Sequence, residues 1–443
     1  MNSWLPMPYA VQSHTLIVVR LFFSFPHGIM NSVPFKKSIL ESWYPIMSFD
    51  AQALLQEAKA LQKELVSIRR DIHAHPELGS HEVRTTEVIR SYLESLGIEI
   101  RPCLETGVLG ILYGGQPGKT IGLRADIDAL PIQEATGLEF ASQNDGVMHA
   151  CGHDLHATAL MGAAKILAAH RNELHGNVKF FFQPDEEGSG GAERMVKAGC
   201  LQNPKVDAVF GGHSSTGQLA GQYGLKYGKT YAASNPFVIR VHGQGCHGAY
   251  PANGIDSIAV ACQIVSALQM LVSRRISATD SAVVTVGSFH AGTAGNIIAG
   301  EAELKGIIRT LGPQMREKMC RLVKETAEGV ASALGASAEV EIRTSYPGVV
   351  NEDAFTAFVH RVMISLVGEQ GVALKATPNM GTEDFGYFMD GIPGCYCAFG
   401  FGDGGKECRF PAHGPYFRAN EDGLAYAAAL HAAVAMQYLN ENI

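Results

Sequence analysis

"NVKFFFQPDEEGSGG", residues 177–191, decides how this chain is read. Its first half is a strand running up to Pro184, and its second half sets Asp185, Glu186 and Glu187 against a glycine-rich turn. Short apolar strands recur on either side, at "VLGILYG" (108–114), "TIGLRADI" (120–127) and "VDAVFGG" (206–212). The segments from Ala157 to about Leu174 and from Gly191 to Gly199 carry helical patterning. Strands alternating with helices argue for an α/β sheet covered on both faces. In such sheets functional side chains collect on loops beyond the carboxyl ends of the strands. "RADIDALP" (124–131), "QPDEEGSGG" (183–191) and "GGHSSTG" (211–217) all fall on that rim.

Between about 232 and 344 the pattern changes. "NPFVIRVHG" (strand), "SIAVACQIVSALQMLVSRRI" (helix), "SAVVTVGSF" and "AELKGIIRTL" (strands), "PQMREKMCRLVKETAEGVASALG" (helix) and "SAEVEIRTSY" (strand) spell β-α-β-β-α-β, the ferredoxin-like split unit. "HRVMISLVGEQG" (360–371), the strand "CYCAFGFG" (395–402) and a helix from Asn420 to Leu439 then resume the first pattern. The expected organisation is a catalytic domain over 47–231 and 345–443, with a smaller domain, 232–344, inserted between two hinges. Residues 1–46 read as an extension: "TLIVVRLFFSF" (15–25) is broken by Arg20 and too short to span a bilayer. A cryptic leader or membrane-surface segment is the competing reading, and Met47 is an alternative start. Beyond it, Asp50 is placed to cap a helix whose apolar face runs Leu54, Ala58, Leu61, Leu65, Ile68 and Ile72.

With 443 residues, 46% apolar and 18% charged, the chain is long enough for more than one domain core. A formal net charge of −8 and the lack of a basic run leave no footprint for nucleic acid, so a small-molecule partner is expected. Nine cysteines, an odd number in a chain of this size, do not read as a disulfide framework and point to a reducing, cytoplasmic setting.

The chemistry sits at the strand ends. Cys151 and His153, two apart just before a helix, offer one soft and one borderline ligand, although a buried cysteine and a capping histidine would look the same. Glu186 and Glu187 follow an apolar strand, where unpaired charge is expensive. One can bind a cation while the other carries a proton. With His213 and His413, the set offers five donors from four strand ends, which suits two divalent metals better than one tetrahedral zinc.

In order, "RRDIHAHPELG", "LRADIDALP", "HACGHDLH", "QPDEEGSGG", "GCHGAYP", "GTEDF" and "HGPYF" resemble the successive motifs of the amidohydrolase branch of the aminoacylase/carboxypeptidase metallopeptidases. That branch includes hippurate hydrolases, auxin-conjugate hydrolases and N-acyl-amino-acid deacylases, and the resemblance runs from about residue 48 to 440. It implies a mixed-sheet metallopeptidase domain carrying an inserted ferredoxin-like lid and dimerisation domain. By the same resemblance Cys151, His153, Glu187, His213 and His413 hold two divalent ions, zinc or manganese, with cobalt or nickel as alternatives. Glu186 matches the general base, and His247 of "GCHGAYP" matches the histidine that stabilises the oxyanion, in some relatives across a dimer interface. Asn296 and Arg309 match lid positions that grip the substrate, Arg309 being suited to an α-carboxylate.

Other residues read as supports. Asp126 and Asp128 orient metal ligands or hold Arg124, and Asp154 and the flanking His149 and His156 back the Cys151–His153 pair. His73 and His75 close the first helix, and Glu383 and Asp384 either approach the metals or cap a helix. Three positions depart from the family pattern: "SSTG" after His213, Cys246 in place of a glycine, and Ala299 in place of a proline. The expected activity is metal-dependent cleavage of the amide of an N-acyl or N-aroyl amino acid by a homodimer. A dipeptidase or aminopeptidase would need an acidic group for the free α-amine, and a binding protein that keeps the fold without turnover is the remaining alternative.

Overall fold

A computed structural model describes residues 49–441. The expectations for residues 1–46 and for Met47 as a start lie outside the described residues. Before residue 232 the strands are β1 (Glu99–Arg101), β2 (Val108–Tyr113), β3 (Gln116–Asp126), β4 (His175–Gln183), β5 (Ala208–Leu219), β6 (Tyr223–Leu225) and β7 (Gly228–Lys229). There follow β8 (Ala233–His242), β9 (Cys246–His247), β10 (Ala282–Ala291), β11 (Ile297–Ile298), β12 (Glu301–Thr310) and β13 (Ser337–Ile342). The last are β14 (Val350–Asn351), β15 (Val372–Leu374) and β16 (Gly394–Gly402).

Eight strands form one mixed sheet in the order β1-β2-β4-β3-β5-β16-β6-β15. Its centre, β4, β3, β5 and β16, is parallel throughout, whereas β2 is antiparallel to β4. Parallel strands need cover on both faces. Successive side chains of "FFF" supply it: Phe181 stacks on Phe388 at 5.1 Å on the face that also buries Met195, Phe385 and Tyr396. On the opposite face the helix His153–Ala169 packs against Gly423–Asn440, and both are buried almost all round. Gly162 allows that approach, since a Cβ there would come within 3.0 Å of Ala428 Cβ and 2.9 Å of a Leu65 methyl.

Two local readings are corrected. Asp50 does cap, its Oδ1 accepting from the Gln52 and Ala53 amides at 2.9 and 3.0 Å, but the helix breaks at Leu61 into Ala51–Ala60 and Gln62–Ala74. The helix expected to begin at Ala157 begins at His153, because Gly152 takes a left-handed backbone (φ 90°) that turns the chain into its first turn.

A second, antiparallel sheet has the order β10-β12-β8-β13. The helices Ser257–Met270 and Pro313–Ala333 bury Val260, Ile264, Leu268, Met319 and Val323 against Ile239, Leu304 and Ile308. The other face carries charged side chains such as Arg240, Glu303 and Lys305. The segment Ser257–Arg275 is long and apolar enough to cross a membrane by length and composition alone, and only 33% of it is buried in the fold. β9 and β11 pair as a small ribbon beyond this sheet, with Ile297 opposite His247.

Candidate metal centre

The site is built where the main sheet's central strands end. From β3 come Arg124 and Asp126, with Asp128 just beyond; from β4 come Gln183 and, past Pro184, Asp185 to Glu187. Arg124 is the base of the site. It is fully buried; Nε donates to Gln183 at 2.8 Å, Nη1 lies 2.7 Å from Asp126 and Nη2 lies 3.0 and 2.9 Å from Glu383 and Asp384. Tyr396 completes the cage, receiving a bond from Nη1 at 3.1 Å and donating to Glu383. Glu383 also accepts from the Phe385 amide at 2.9 Å, so the two expected roles of "GTEDF", approach to the site and helix capping, coexist.

Above this layer Cys151 is the hub. Its Sγ lies 3.2 Å from His213 Nε2 and 3.3 Å from His413 Nε2, which is itself 3.0 Å from Glu187 Oε1. The donor atoms of Cys151, His153 and His213 lie within 4.8 Å of one another, as do those of Cys151, Glu187 and His413 and those of His153, Glu186 and Glu187. His213 does not follow its strand, as its sequence context indicated; it lies within β5, which continues to Leu219 because β16 pairs with it beyond that point.

Hydrogen bonding tells ligand from support. His153 Nδ1 faces Asp128 Oδ1 at 3.1 Å, which leaves its buried Nε2 without a hydrogen-bond partner and aimed at the cluster. His213 Nδ1 donates to the Ser214 carbonyl at 2.8 Å, so its Nε2 presents a lone pair toward Cys151. His156 is spent: Nδ1 is bonded to Asp126 at 2.5 Å and Nε2 accepts from the Ser214 amide at 2.7 Å. His149 is buried with neither nitrogen hydrogen-bonded, and burial pulls it down to about 3. Asp154 is fully buried against Arg69 Nε (2.7 Å) and His73 Nδ1 (2.8 Å), in the first turn of the helix that begins at His153.

Electrostatics divide the two adjacent acids. Burial, then Glu383 and Asp384 nearby, hold Glu186 well above the ordinary carboxylate range. Burial pushes Glu187 the same way, but His413 and His153 outweigh it and hold it at about 2. The donors present, one thiol, three imidazoles and a carboxylate held ionised, therefore fit divalent transition metals.

Three residues singled out in the sequence come from the second sheet. Arg309 on β12 lines a cavity of about 330 Å³ together with Glu187, Ser234 and Tyr346, and its buried Nη1 has no partner. His247 and Asn296 are brought to each other, where the Gly248 amide donates to the Asn296 carbonyl at 2.8 Å, but both are exposed and lie outside the donor groups around Cys151. Sequence reasoning missed Tyr346, whose hydroxyl donates to the Glu186 carbonyl at 2.6 Å, and Arg69, which with His73 at helical spacing reaches Asp154.

Cysteine, imidazole and carboxylate donors around one gap, beside an acid poised to carry a proton, define a metal-dependent amidohydrolase. The chain belongs to peptidase family M20/M25/M40, whose family model matches residues 122–437. It is 41% identical over 380 residues to N-acetylcysteine deacetylase of Bacillus subtilis, covering 85% of this chain and 97% of that one. It is also 41% identical over 385 residues to the IAA-amino acid hydrolase ILR1-like 2 of Arabidopsis thaliana, covering 85% of each. Among solved structures, the Bacillus subtilis YXEP protein, a dinuclear metal-binding peptidase of the M20 family, superposes with a TM-score of 0.75 at 37% identity, covering 86% of this chain and 99% of that one.

Proposed function

We propose that this protein hydrolyses the amide of N-acyl amino acids, releasing a carboxylic acid and an amino acid. The observation that carries the reading is the pair of overlapping donor sets sharing Cys151, with Glu186 alongside and Arg309 across the adjoining cavity. The deacetylase and IAA-amino acid hydrolase relatives named above support it.

In this reading Cys151, His153, Glu187, His213 and His413 would hold two divalent ions, zinc or manganese. When bound, such ions supply Lewis acidity to the scissile carbonyl and to water. Glu186 takes a proton from the attacking water and returns it to the departing nitrogen, a task its burial suits. Asp128 keeps His153 in the tautomer that turns Nε2 to the site, while also accepting from the Glu187 amide at 2.9 Å. Arg309 pairs with the substrate's α-carboxylate from the wall of the cavity it shares with Glu187.

Residues 232–344 act as the lid and as the dimer interface. Along the helix from Ser257 and on β10, Ile258, Met270, Val283 and Phe289 are exposed, and among the described residues β10 is a sheet edge paired only with β12. A two-fold dimer would cover both, and would bring His247 and Asn296 of one subunit toward the site of the other. Nine free cysteines suit a cytoplasmic location.

The test is release of amino acid from N-acetyl, N-benzoyl and indoleacetyl amino acids and from unblocked dipeptides, with manganese or zinc added, by wild type and Glu186→Gln. Turnover of blocked amino acids that is lost in the variant is expected. Activity confined to dipeptides, or none on any substrate, overturns the reading.

A further inference from the structure

A second cavity, of about 270 Å³, is lined by Tyr231 and Tyr396, and Tyr396 is bonded to Arg124 and Glu383 at the base of the metal centre. The segment carrying Glu383 divides the two spaces: Asn379 and Met380 line this cavity, whereas Thr382 lines the one shared by Arg309 and Glu187. Tyr231 and Tyr396 form the wall it shares with the site, their rings 5.8 Å apart, with Tyr396 bonded to Glu383. Lys226 and Lys375 contribute amines, Thr230 and Thr377 hydroxyls and Asn379 an amide, and no acid is among the lining residues.

Among the described residues neither lysine forms an ion pair; Lys226 reaches only the Tyr227 carbonyl, at 3.5 Å. Lys375 does not extend away from the fold. Its amide donates to the Leu225 carbonyl at 2.8 Å and its stem lies across the sheet, so that a Cβ on Gly224 would stand 2.9 Å from Lys375 Cε. Two ammonium groups at a walled space without a carboxylate are a receptor for an anion.

We infer that this cavity receives the acyl half of the substrate and that Lys226 and Lys375 select acyl chains ending in a carboxylate, such as N-succinyl rather than N-acetyl amino acids. The inference rests on the amidohydrolase reading and deepens it. The amino acid's carboxylate is taken up on the Arg309 side, so the acyl chain runs the other way, past Tyr231. The volume falls just below the roughly 300–1,000 Å³ of pockets that bury drug-sized ligands, so it suits a short chain. Water adds across the amide, the acyl carbon–nitrogen bond breaks, and a dicarboxylate and an amino acid leave.

The experiment compares kcat/KM for N-succinyl and N-acetyl forms of one amino acid, using the metal-loaded full chain as wild type, K226M/K375M and K226R/K375R. Wild type is expected to favour the succinyl substrate. The methionine pair should lower the succinyl-to-acetyl ratio at least about tenfold, the worth of one charge-assisted hydrogen bond, and the arginine pair should keep it. An unchanged ratio in the methionine pair, or a wild type that favours N-acetyl, overturns the inference while leaving the hydrolase standing. If neither these substrates nor the other blocked amino acids named above turn over, the hydrolase reading has failed by itself, and calorimetric binding of succinate decides the cavity. A Kd weakened at least about tenfold in the methionine pair supports it, and equal Kd values in both proteins overturn it.

Discussion

Replacing Arg124 by lysine keeps the charge beneath the site and removes the fork. The guanidinium serves Gln183, Tyr396, Asp126, Glu383 and Asp384 at 2.7–3.1 Å. An ammonium has three donors, so at least two of these contacts are lost. At ~1.5–3 kcal/mol for each bond to a charged group, the cost is about 3–6 kcal/mol. For one compact unit spanning residues 48–443, an unfolding entropy of ~2.1 cal/mol/K per residue gives roughly 0.8 kcal/mol/K, and Tm should fall by about 4–7 °C. The deficit should also depend on pH. Burial, opposed by Arg124, holds Asp384 at about 8, far above the ~3.9 of an unfolded aspartate. A folded value raised in this way contributes stability that is fully present at low pH and lost as pH rises through 8. Weakening the support of the ionised form moves that loss higher for Asp384 and makes its ionisation dearer, so the deficit should be ~1–2 kcal/mol larger at about pH 9.5 than at about pH 6. Urea unfolding of chelator-treated wild type and variant at the two pH values measures it. An unchanged Tm, or a deficit that is equal or smaller at high pH, would refute the claim that one guanidinium holds this cluster together.

Gly152→Ala forces a side chain into a left-handed backbone and puts its Cβ 2.5 Å from Ser214 Oγ; the ~1–2 kcal/mol of backbone strain alone should lower Tm by about 2 °C, and metal affinity should fall with it. Cys151→Ser removes the atom common to two donor sets, so metal content by mass spectrometry should drop for both ions while circular dichroism stays native. If the proposed dimer forms through this face, Phe289→Asp or Val283→Asp should leave a monomer in sedimentation, since both side chains are exposed on β10, the edge strand of the second sheet.

Much of the sheet was legible because its central strands are buried on both faces and so read as near-continuous apolar runs. Where each element stops was less so. β5 outlasts its apolar run since β16 pairs with it at Ser214 and Ser215, a partner nearly two hundred positions away that leaves no local pattern. The helix start was misplaced by four residues because its cue is the backbone of Gly152 and not a capping side chain. Long-range partners were invisible for the same reason: Asp154 is tied to Arg69 and His73, and Tyr346 to Glu186, across separations of about 80–160 positions that no spacing rule encodes.

"HACGHDLH" shows where residue type ceases to inform. His149, His153 and His156 are chemically alike and all buried, and composition alone offers each of them as a ligand. What separates them is which nitrogen is already engaged. Asp126 and the Ser214 amide occupy both nitrogens of His156, whereas Asp128 occupies only one of His153 and leaves the other turned to the gap. The engaged partners are themselves pinned from below, Asp126 by Arg124 and Asp128 by the Glu187 amide. The imidazole that serves the site is therefore chosen by Asp126 at the end of β3 and Asp128 just beyond it, so a variant of Arg124, which holds Asp126, should disturb His156 before it disturbs Cys151, whose neighbours at 3.2 and 3.3 Å are both imidazoles.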